Sequence, residues 1–353
     1  MRTFKIKDKE IHNFCSPYII AEIGANHNGD MELAKTMIDS AVNCGVDAVK
    51  FQSWTPSSLV SKSEYDKNQS YDDGDGGKKH FGSLREMIDK YYLREDQHYE
   101  LKDYCKDKNV DFCSTPFSVA EIDILEKCEV PFYKVASMDI NNFQLLNELA
   151  ERGKPVILST GMATIGEIDN ALDLLYKKGC NDLSLLHCIS IYPPAYQDIH
   201  LNNITTLQKT FGIPIGFSDH SIGFSIPLAS VALGACIIEK HFTTDKELPG
   251  WDHLISADPI EMKIICEESE NIAKSMGSFV RRVSKLEEEK KSKFRRSIVV
   301  KKDLKAGHII TNDDLTSKRP GTGISPELIN QLIGRELKTD LGQDILLKWE
   351  NIR

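Results

Sequence analysis

Eight short apolar runs, each followed by a longer amphipathic stretch, leave this chain few folds to choose from. The runs fall at 18–24, 47–52, 111–116, 132–137, 155–160, 183–188, 214–219 and 236–242. Short runs rich in β-branched residues read as buried strands, and the stretches between them are long enough for crossover helices. Strands joined by helices pair in parallel, and eight such units close into a (β/α)8 barrel of the TIM type. An open doubly wound sheet is disfavoured, because no glycine-rich turn follows the first run at the dinucleotide-binding spacing. Helix boundaries are also readable. Asp30 precedes a periodic stretch at 31–43 stopped by Gly45, Ser118 precedes 119–128, and Gly166 precedes 167–178. A small apolar helix is expected at 224–233.

Two regions break the rhythm. The segment 55–79 is rich in Ser, Asp, Gly and Lys, with Asp72-Asp-Gly-Asp-Gly-Gly77 at its centre. It reads as a long loop after the second strand, a lid or binding loop on the catalytic face. After Gly277 the pattern changes again, through a charged run at 285–293 that reads as a solvated helix or linker. From Ser297 short strands and turns follow, and Asn312-Asp-Asp-Leu and Ser325-Pro-Glu-Leu read as helix starts. The 353 residues therefore divide into a barrel at 1–280, a linker at 281–293 and a small β-rich domain at 294–353. A domain of about 60 residues is marginal alone and is expected to pack on another surface.

Composition excludes several classes of function. The net charge is −9, without a long basic stripe, which argues against nucleic acid as the main partner. No apolar run approaches the ~20 residues of a membrane helix. The opening Met-Arg-Thr-Phe-Lys-Ile-Lys lacks the apolar segment of a signal peptide. The nine cysteines show no paired metal spacing, and Cys113, Cys188 and Cys236 read as buried thiols. A cytoplasmic, reducing location is expected.

In a barrel the C-terminal ends of the strands build the active site. Taken in order they supply Glu22, then Asn26 and His27; Lys50 and Gln52; Ser114 and Thr115; Lys134, Ser137 and Asp139; Ser159 and Thr160; His187, Ser190 and Tyr192; Ser218, Asp219 and His220; Glu239 and His241. Two lysines and several hydroxyls on converging strands suit an anionic ligand such as a phosphate or carboxylate. The plain alternative is a buried ion pair between a lysine and Glu22. Glu22, in an apolar strand at the barrel mouth, is the best acid–base candidate. Asp139 stands in a turn-like sequence, and His187 reads as a core histidine. Asp252 and His253 lie just past the last strand.

His220 and His241 end neighbouring strands, which brings two imidazoles side by side. With Asp219 and Glu239 nearby they would suit a divalent metal with open positions. Each taken alone reads as a hydrogen-bonded core histidine.

At this point the motifs form a set. Ala21-Glu-Ile-Gly-Ala-Asn-His-Asn-Gly29, Ser114-Thr-Pro-Phe117, Tyr133-Lys-Val-Ala-Ser137, Ser159-Thr-Gly-Met162, Ser218-Asp-His220 and Glu239-Lys-His-Phe242 resemble the sialic acid synthase family. The tail, with Lys318-Arg-Pro-Gly-Thr-Gly323, resembles that family's C-terminal antifreeze-like (β-clip, SAF) domain. The resemblance implies condensation of phosphoenolpyruvate with a mannose-type amino sugar to give a nonulosonic acid. It implies that His220 and His241 hold the metal, usually Mn2+, with Mg2+ or Co2+ as alternatives. Lys50, Thr115, Lys134, Ser137, Ser159, Ser190 and Ser218 match phosphoenolpyruvate contacts. Ser190 stands where a bacterial relative has Asn. Glu22 matches a catalytic carboxylate, and Asp139 falls where bacterial members often carry Glu and animal members Asp. Tyr192, Asp252 and Arg319 match sugar-side positions, and in the family that Arg comes from the neighbouring subunit of a domain-swapped homodimer.

Three other readings compete: a different phosphoenolpyruvate-dependent ulosonate synthase, a metal-dependent hydrolase on the same barrel, and a non-catalytic sugar-binding or ice-binding protein. The Arg319-bearing tail argues against the first. The second normally carries an HxH pair where this chain has Glu22-Ile-Gly24. The third leaves the strand-end lysines and histidines unexplained. The acceptor stays open among N-acetylmannosamine, its 6-phosphate and 2,4-diacetamido-trideoxy sugars.

Overall fold

A computed structural model describes residues 2–67, 83–250 and 252–353, in two compact units, Met1–Gly277 and Ser278–Arg353. The acidic and glycine-rich centre of the expected long loop, 72–77, lies outside the described residues.

The first unit opens with a hairpin, β1 (Phe4–Ile6) and β2 (Lys9–Ile11). Eight parallel strands follow: β3 (Tyr18–Gly24), β4 (Ala48–Ser53), β5 (Asp111–Pro116), β6 (Tyr133–Val135), β7 (Val156–Ser159), β8 (Leu183–Cys188), β9 (Ile215–Asp219) and β10 (Ile237–His241). Their order is β5-β4-β3-β10-β9-β8-β7-β6, and β5 lies beside β6 to close the barrel at a seam where the ladder is interrupted. Helices α1 (Met31–Cys44), α2 (Lys62–Lys67), α3 (Leu84–Tyr91), α4 (Glu95–Asp107), α5 (Val119–Lys127), α6 (Phe143–Glu151), α7 (Ile165–Lys177), α8 (Asn202–Phe211), α9 (Ser225–Ala232) and α10 (Pro259–Met276) complete this unit.

Strand alternation decides which residues see the interior. Successive side chains point to opposite faces, so every second residue faces inward. Ile19, Ala21, Val49, Phe51, Phe112, Val135, Leu158, Leu185, Phe217 and Ile238 belong to the core shared with the helices. Tyr18, Ile20, Ala48, Cys113, Phe132, Ile157, Leu186 and Ile237 fill the floor of the barrel, joined there by Phe4, Ile6 and Ile11 of the hairpin. That apolar plug was not anticipated from the sequence; its strands are only three residues long each. One step of the same alternation above the plug, the inward residues turn polar.

The helix signals hold with small shifts. The Asp30 carboxylate accepts from the N–H groups of Glu32 and Leu33, and Gly45 closes α1 in the left-handed region at φ 90°. Helix α7 begins earlier than expected, because Thr164 and Glu167 form a capping box. Part of the expected loop at 55–79 is helical, since α2 starts at Lys62.

In the second unit the charged run forms helix α11 (Lys285–Phe294), capped by Ser284 and with no buried residue. Strands β11 (Ser297–Val300) and β12 (Leu315–Lys318) pair antiparallel. The two expected helix starts give only short 3-10 turns, at Asn312–Asp314 and Pro326–Gln331. The unit has its own core of Ile298, Val300, Leu304, Ile310, Leu315, Leu332, Leu337 and Leu347.

Candidate active site

The polar upper layer of the barrel opens into a cavity of about 450 Å³, within the range usual for small-molecule sites. Its wall includes Glu22, Lys50, Thr115, Lys134, Ser137, Ser159, Ser190, Tyr192, Ser218, His220, His241 and Asp252. Asp139 is not part of this wall; its carboxylate accepts from the Asn142 amide at 2.9 Å. Arg319 belongs to the second unit, where its guanidinium lies 5.2 Å from the Phe294 ring.

Burial makes the charges here interdependent. Lys50 Nζ lies 2.7 Å from Glu22 Oε2 and 3.7 Å from Glu239 Oε2, and it donates to Thr115 Oγ1 at 3.0 Å. The ion pair weighed as the alternative is therefore real, yet it sits on the cavity wall. Lys134 Nζ donates to Ser159 Oγ at 2.6 Å and to the Val135 carbonyl at 2.8 Å, with Glu239 at 3.8 Å. Burial pushes the Glu22 carboxyl up to about 7, against the pull of Lys50 and with the help of Glu239. Burial would raise Glu239 too, but Lys134, Lys50 and the Ser218 hydroxyl hold it low. Two inward carboxylates thus divide into one poised near neutrality and one kept ionised, the pattern of an acid–base group beside a fixed counter-charge. Burial also pushes Lys134 down, partly offset by Glu239.

The two histidines meet on one side of the cavity, with ring centroids 5.4 Å apart. His220 Nδ1 is 2.8 Å from the Ile189 carbonyl, which can only accept, so Nδ1 carries the proton and Nε2 the lone pair. Such an anchored tautomer is what a metal-ligating imidazole needs. Among the described residues no three His, Cys, Asp or Glu side chains form a ready-made metal cluster. Two imidazoles lining an open cavity fit a divalent cation whose remaining positions come from water or substrate. Asp219 does not take part, contrary to expectation. Alternation turns it outward, and its carboxylate binds Lys240 and Ser221. Glu239 faces the lysines and the Ser218 hydroxyl, 2.9 Å away.

Other strand-end residues are structural. His27 is fully buried and its Nδ1 accepts from the Gly29 N–H at 3.0 Å. His187 donates from Nε2 to the Ile199 carbonyl at 2.7 Å, as a core histidine. Ser114 faces outward to Ser53 at 2.6 Å, and Ser53 meets His98 Nε2 at 2.7 Å. Gln52, which donates to Glu22 Oε1 at 3.0 Å, and Glu239, both read at strand ends, also line the wall. Other wall residues carry no signal in the sequence. The apolar side, with Trp54, Leu59, Val60, Leu84, Met87 and Phe117, comes largely from the segment read as a loop and from the start of α3.

Comparison with known proteins gives a consistent result. Residues 37–281 match the NeuB family and residues 295–353 the SAF domain. The chain is 39% identical over 336 residues to the N,N'-diacetyllegionaminic acid synthase of Campylobacter jejuni, covering 94% of this chain and 98% of that one. It is 32% identical over 340 residues to the pseudaminic acid synthase of Helicobacter pylori, covering 95% and 98%. The solved N-acetylneuraminic acid (sialic acid) synthetase of Leptospira borgpetersenii, in complex with citrate, is similar at a TM-score of 0.71 and 36% identity, covering 82% of this chain and 95% of that one. The chain belongs to the NeuB family and carries a SAF domain at its C-terminus.

Proposed function

We propose that this NeuB-family enzyme condenses phosphoenolpyruvate with the open-chain form of an N-acetylmannosamine-type amino sugar and water, giving a 3-deoxy-2-keto nine-carbon acid and phosphate. The observation that carries this reading is the convergence of Lys50, Lys134, Thr115, Ser137, Ser159 and Ser218 around Glu22 in one cavity. Two ammonium groups and a set of short hydroxyl donors match a small ligand bearing both a carboxylate and a phosphate. Family membership and the likeness to synthases of nonulosonic acids support the same chemistry.

In this reading Lys50 and Lys134 hold the two anionic ends of phosphoenolpyruvate, and the hydroxyls of Thr115, Ser137, Ser159, Ser190 and Ser218 complete its seat. C3 then bonds to the aldehyde carbon of the sugar, whose oxygen takes a proton. The electron-poor C2 is captured by water, and Glu22 removes the proton that this water loses. The tetrahedral adduct collapses with cleavage of the bond between C2 and the phosphate oxygen, leaving the keto group and free phosphate. Holding the reactants in line accounts for much of the acceleration in such bimolecular steps. His220 and His241 would hold a divalent cation, Mn2+ before Mg2+ or Co2+, which supplies Lewis-acid polarisation of a carbonyl oxygen when bound. Tyr192, whose ring centroid is 4.0 Å from that of His220, and Asp252 face the sugar, with Arg319 of a second subunit closing the site in a domain-swapped homodimer. Asp139, whose carboxylate accepts from the Asn142 amide, directly follows Ser137 and Met138 of the cavity wall. The nine free thiols suit a reducing cytoplasm.

Phosphate release tests the reading directly. The protein is mixed with phosphoenolpyruvate and, in turn, N-acetylmannosamine, its 6-phosphate and a 2,4-diacetamido-trideoxyhexose, and the product mass is determined. With 18O in the bridging position of phosphoenolpyruvate, the label leaves with phosphate. Label retained in the sugar acid, or no acceptor-dependent phosphate with any of the three, overturns the proposal.

A further inference from the structure

The residues immediately before His220 and His241 form a buried ion pair that no step of the reaction uses. Asp219 and Lys240 stand opposite each other in the parallel pairing of β9 and β10. Alternation turns both away from the cavity, and both side chains are 1% exposed. Lys240 Nζ donates to Asp219 Oδ2 at 2.7 Å and to the Ser221 carbonyl at 2.5 Å. The Asp219 carboxylate also accepts from the Ser221 N–H and the Ser221 hydroxyl, each at 3.0 Å. The ammonium on the strand of His241 therefore grips the chain on both sides of His220. A fifth tether, from His220 Nδ1 to the Ile189 carbonyl, fixes the ring itself.

Stability does not explain this arrangement. A buried ion pair adds little over apolar residues of the same volume, because desolvation offsets the attraction. What the pair does add is a fixed separation between two neighbouring backbone segments, each ending in an imidazole. Bonds of this kind behind a metal ligand set its orientation.

We propose that Lys240 and Asp219 are positioning residues that set the spacing of the two imidazoles and with it the affinity for a divalent cation. The inference rests on the reading that His220 and His241 hold that cation, and the test separates the two. Chelator-treated full-length protein is titrated with Co2+ alone, followed by its visible absorption. The wild type binds with a spectrum that H220A and H241A lack; a wild type that does not bind overturns the metal reading and the brace together. Lys240→Met, folded by circular dichroism, is expected to bind Co2+ roughly 10–100-fold more weakly. Its binding of phosphoenolpyruvate without metal is expected to stay near wild type. Lys240→Arg, which keeps the charge, recovers part of the loss. Because Lys240→Met leaves a buried carboxylate without its partner, the double variant D219L/K240M serves the same comparison without an uncompensated charge. A folded K240M or D219L/K240M that binds Co2+ as tightly as wild type overturns the brace while leaving the metal reading intact.

Discussion

At the scale of the residue, the informative fact is that two inward carboxylates of the same barrel are driven apart. Glu22 is pushed up to about 7 and Glu239 is held below its ordinary value, although both are buried. The difference lies in the partners, since Glu239 faces both lysines and a hydroxyl while Glu22 has one lysine and an amide. Ionised Glu22 is the form that accepts a proton, so kcat/KM for phosphoenolpyruvate is expected to rise with pH through about 7. Glu22→Gln should remove that limb and lower kcat by roughly 10²–10⁴-fold. An unaltered pH profile in the variant would assign the limb to another group. The sign for stability is opposite. A carboxyl raised from 4.5 to about 7 binds more protons folded than unfolded across that window, so its contribution falls as pH rises. Stability of wild type and Glu22→Gln measured in urea between these pH values should therefore diverge, the wild type losing more. Lys134→Met removes a charge-assisted contact worth about 1.5–3 kcal/mol, which is expected to appear as a higher KM for phosphoenolpyruvate. Lowered stability with an unchanged KM would make Lys134 a structural cation only.

At the scale of the element, legibility follows strand alternation. All eight barrel strands were readable because each is a short apolar run buried on both faces. The same alternation placed Lys50, Thr115, Lys134, Ser218 and Glu22 on the inner face, where the cavity has them. Asp219 was misread because proximity to His220 in sequence was taken for proximity to its ring; one residue along a strand reverses the face. The hairpin β1–β2 left little signal, its strands being too short to show a period. Trp54, Val60 and Met87 were hidden for another reason: their segment is polar overall, and only contact with the barrel reveals which of its few apolar residues face the cavity. One element boundary makes a sharp prediction. Gly161 follows β7, and its N–H donates to Ser137 Oγ at 3.0 Å. A Cβ there would lie 2.3 Å from Ser190 Oγ and 2.8 Å from Ser137 Oγ. Gly161→Ala is therefore expected to push both hydroxyls out of the proposed phosphoenolpyruvate seat. KM for that substrate should rise while the thermal midpoint moves by less than about 4 °C. A normal KM would remove Ser137 and Ser190 from the seat.

At the scale of the whole molecule, the question is why a barrel with its own cavity carries a second unit. That unit has a compact core, yet helix α11 at its start buries nothing. On the same unit Val280 is 59% and Leu286 72% exposed. The proposed domain-swapped homodimer would give this unit a second copy of the chain to work with, and symmetric dimers are the commonest oligomers. Arg319 on the same unit offers a planar fork of donors suited to an amide oxygen or hydroxyls of the acceptor sugar. If each active site combines one barrel with the other chain's tail, two kinds of damage become complementary. Glu22→Gln disables the barrel contribution and Arg319→Ala the tail contribution, so either homodimer should be inactive or nearly so. In a mixed dimer one site pairs an intact barrel with an intact tail, while its twin carries both lesions. Random exchange at equal amounts yields about half mixed dimers with one working site each, so activity should return to roughly one quarter of the wild-type value. Native mass spectrometry establishes that the mixed species has formed, and phosphate release measures the recovery. Mixed dimers without recovered activity would mean that Arg319 serves its own chain's barrel or none.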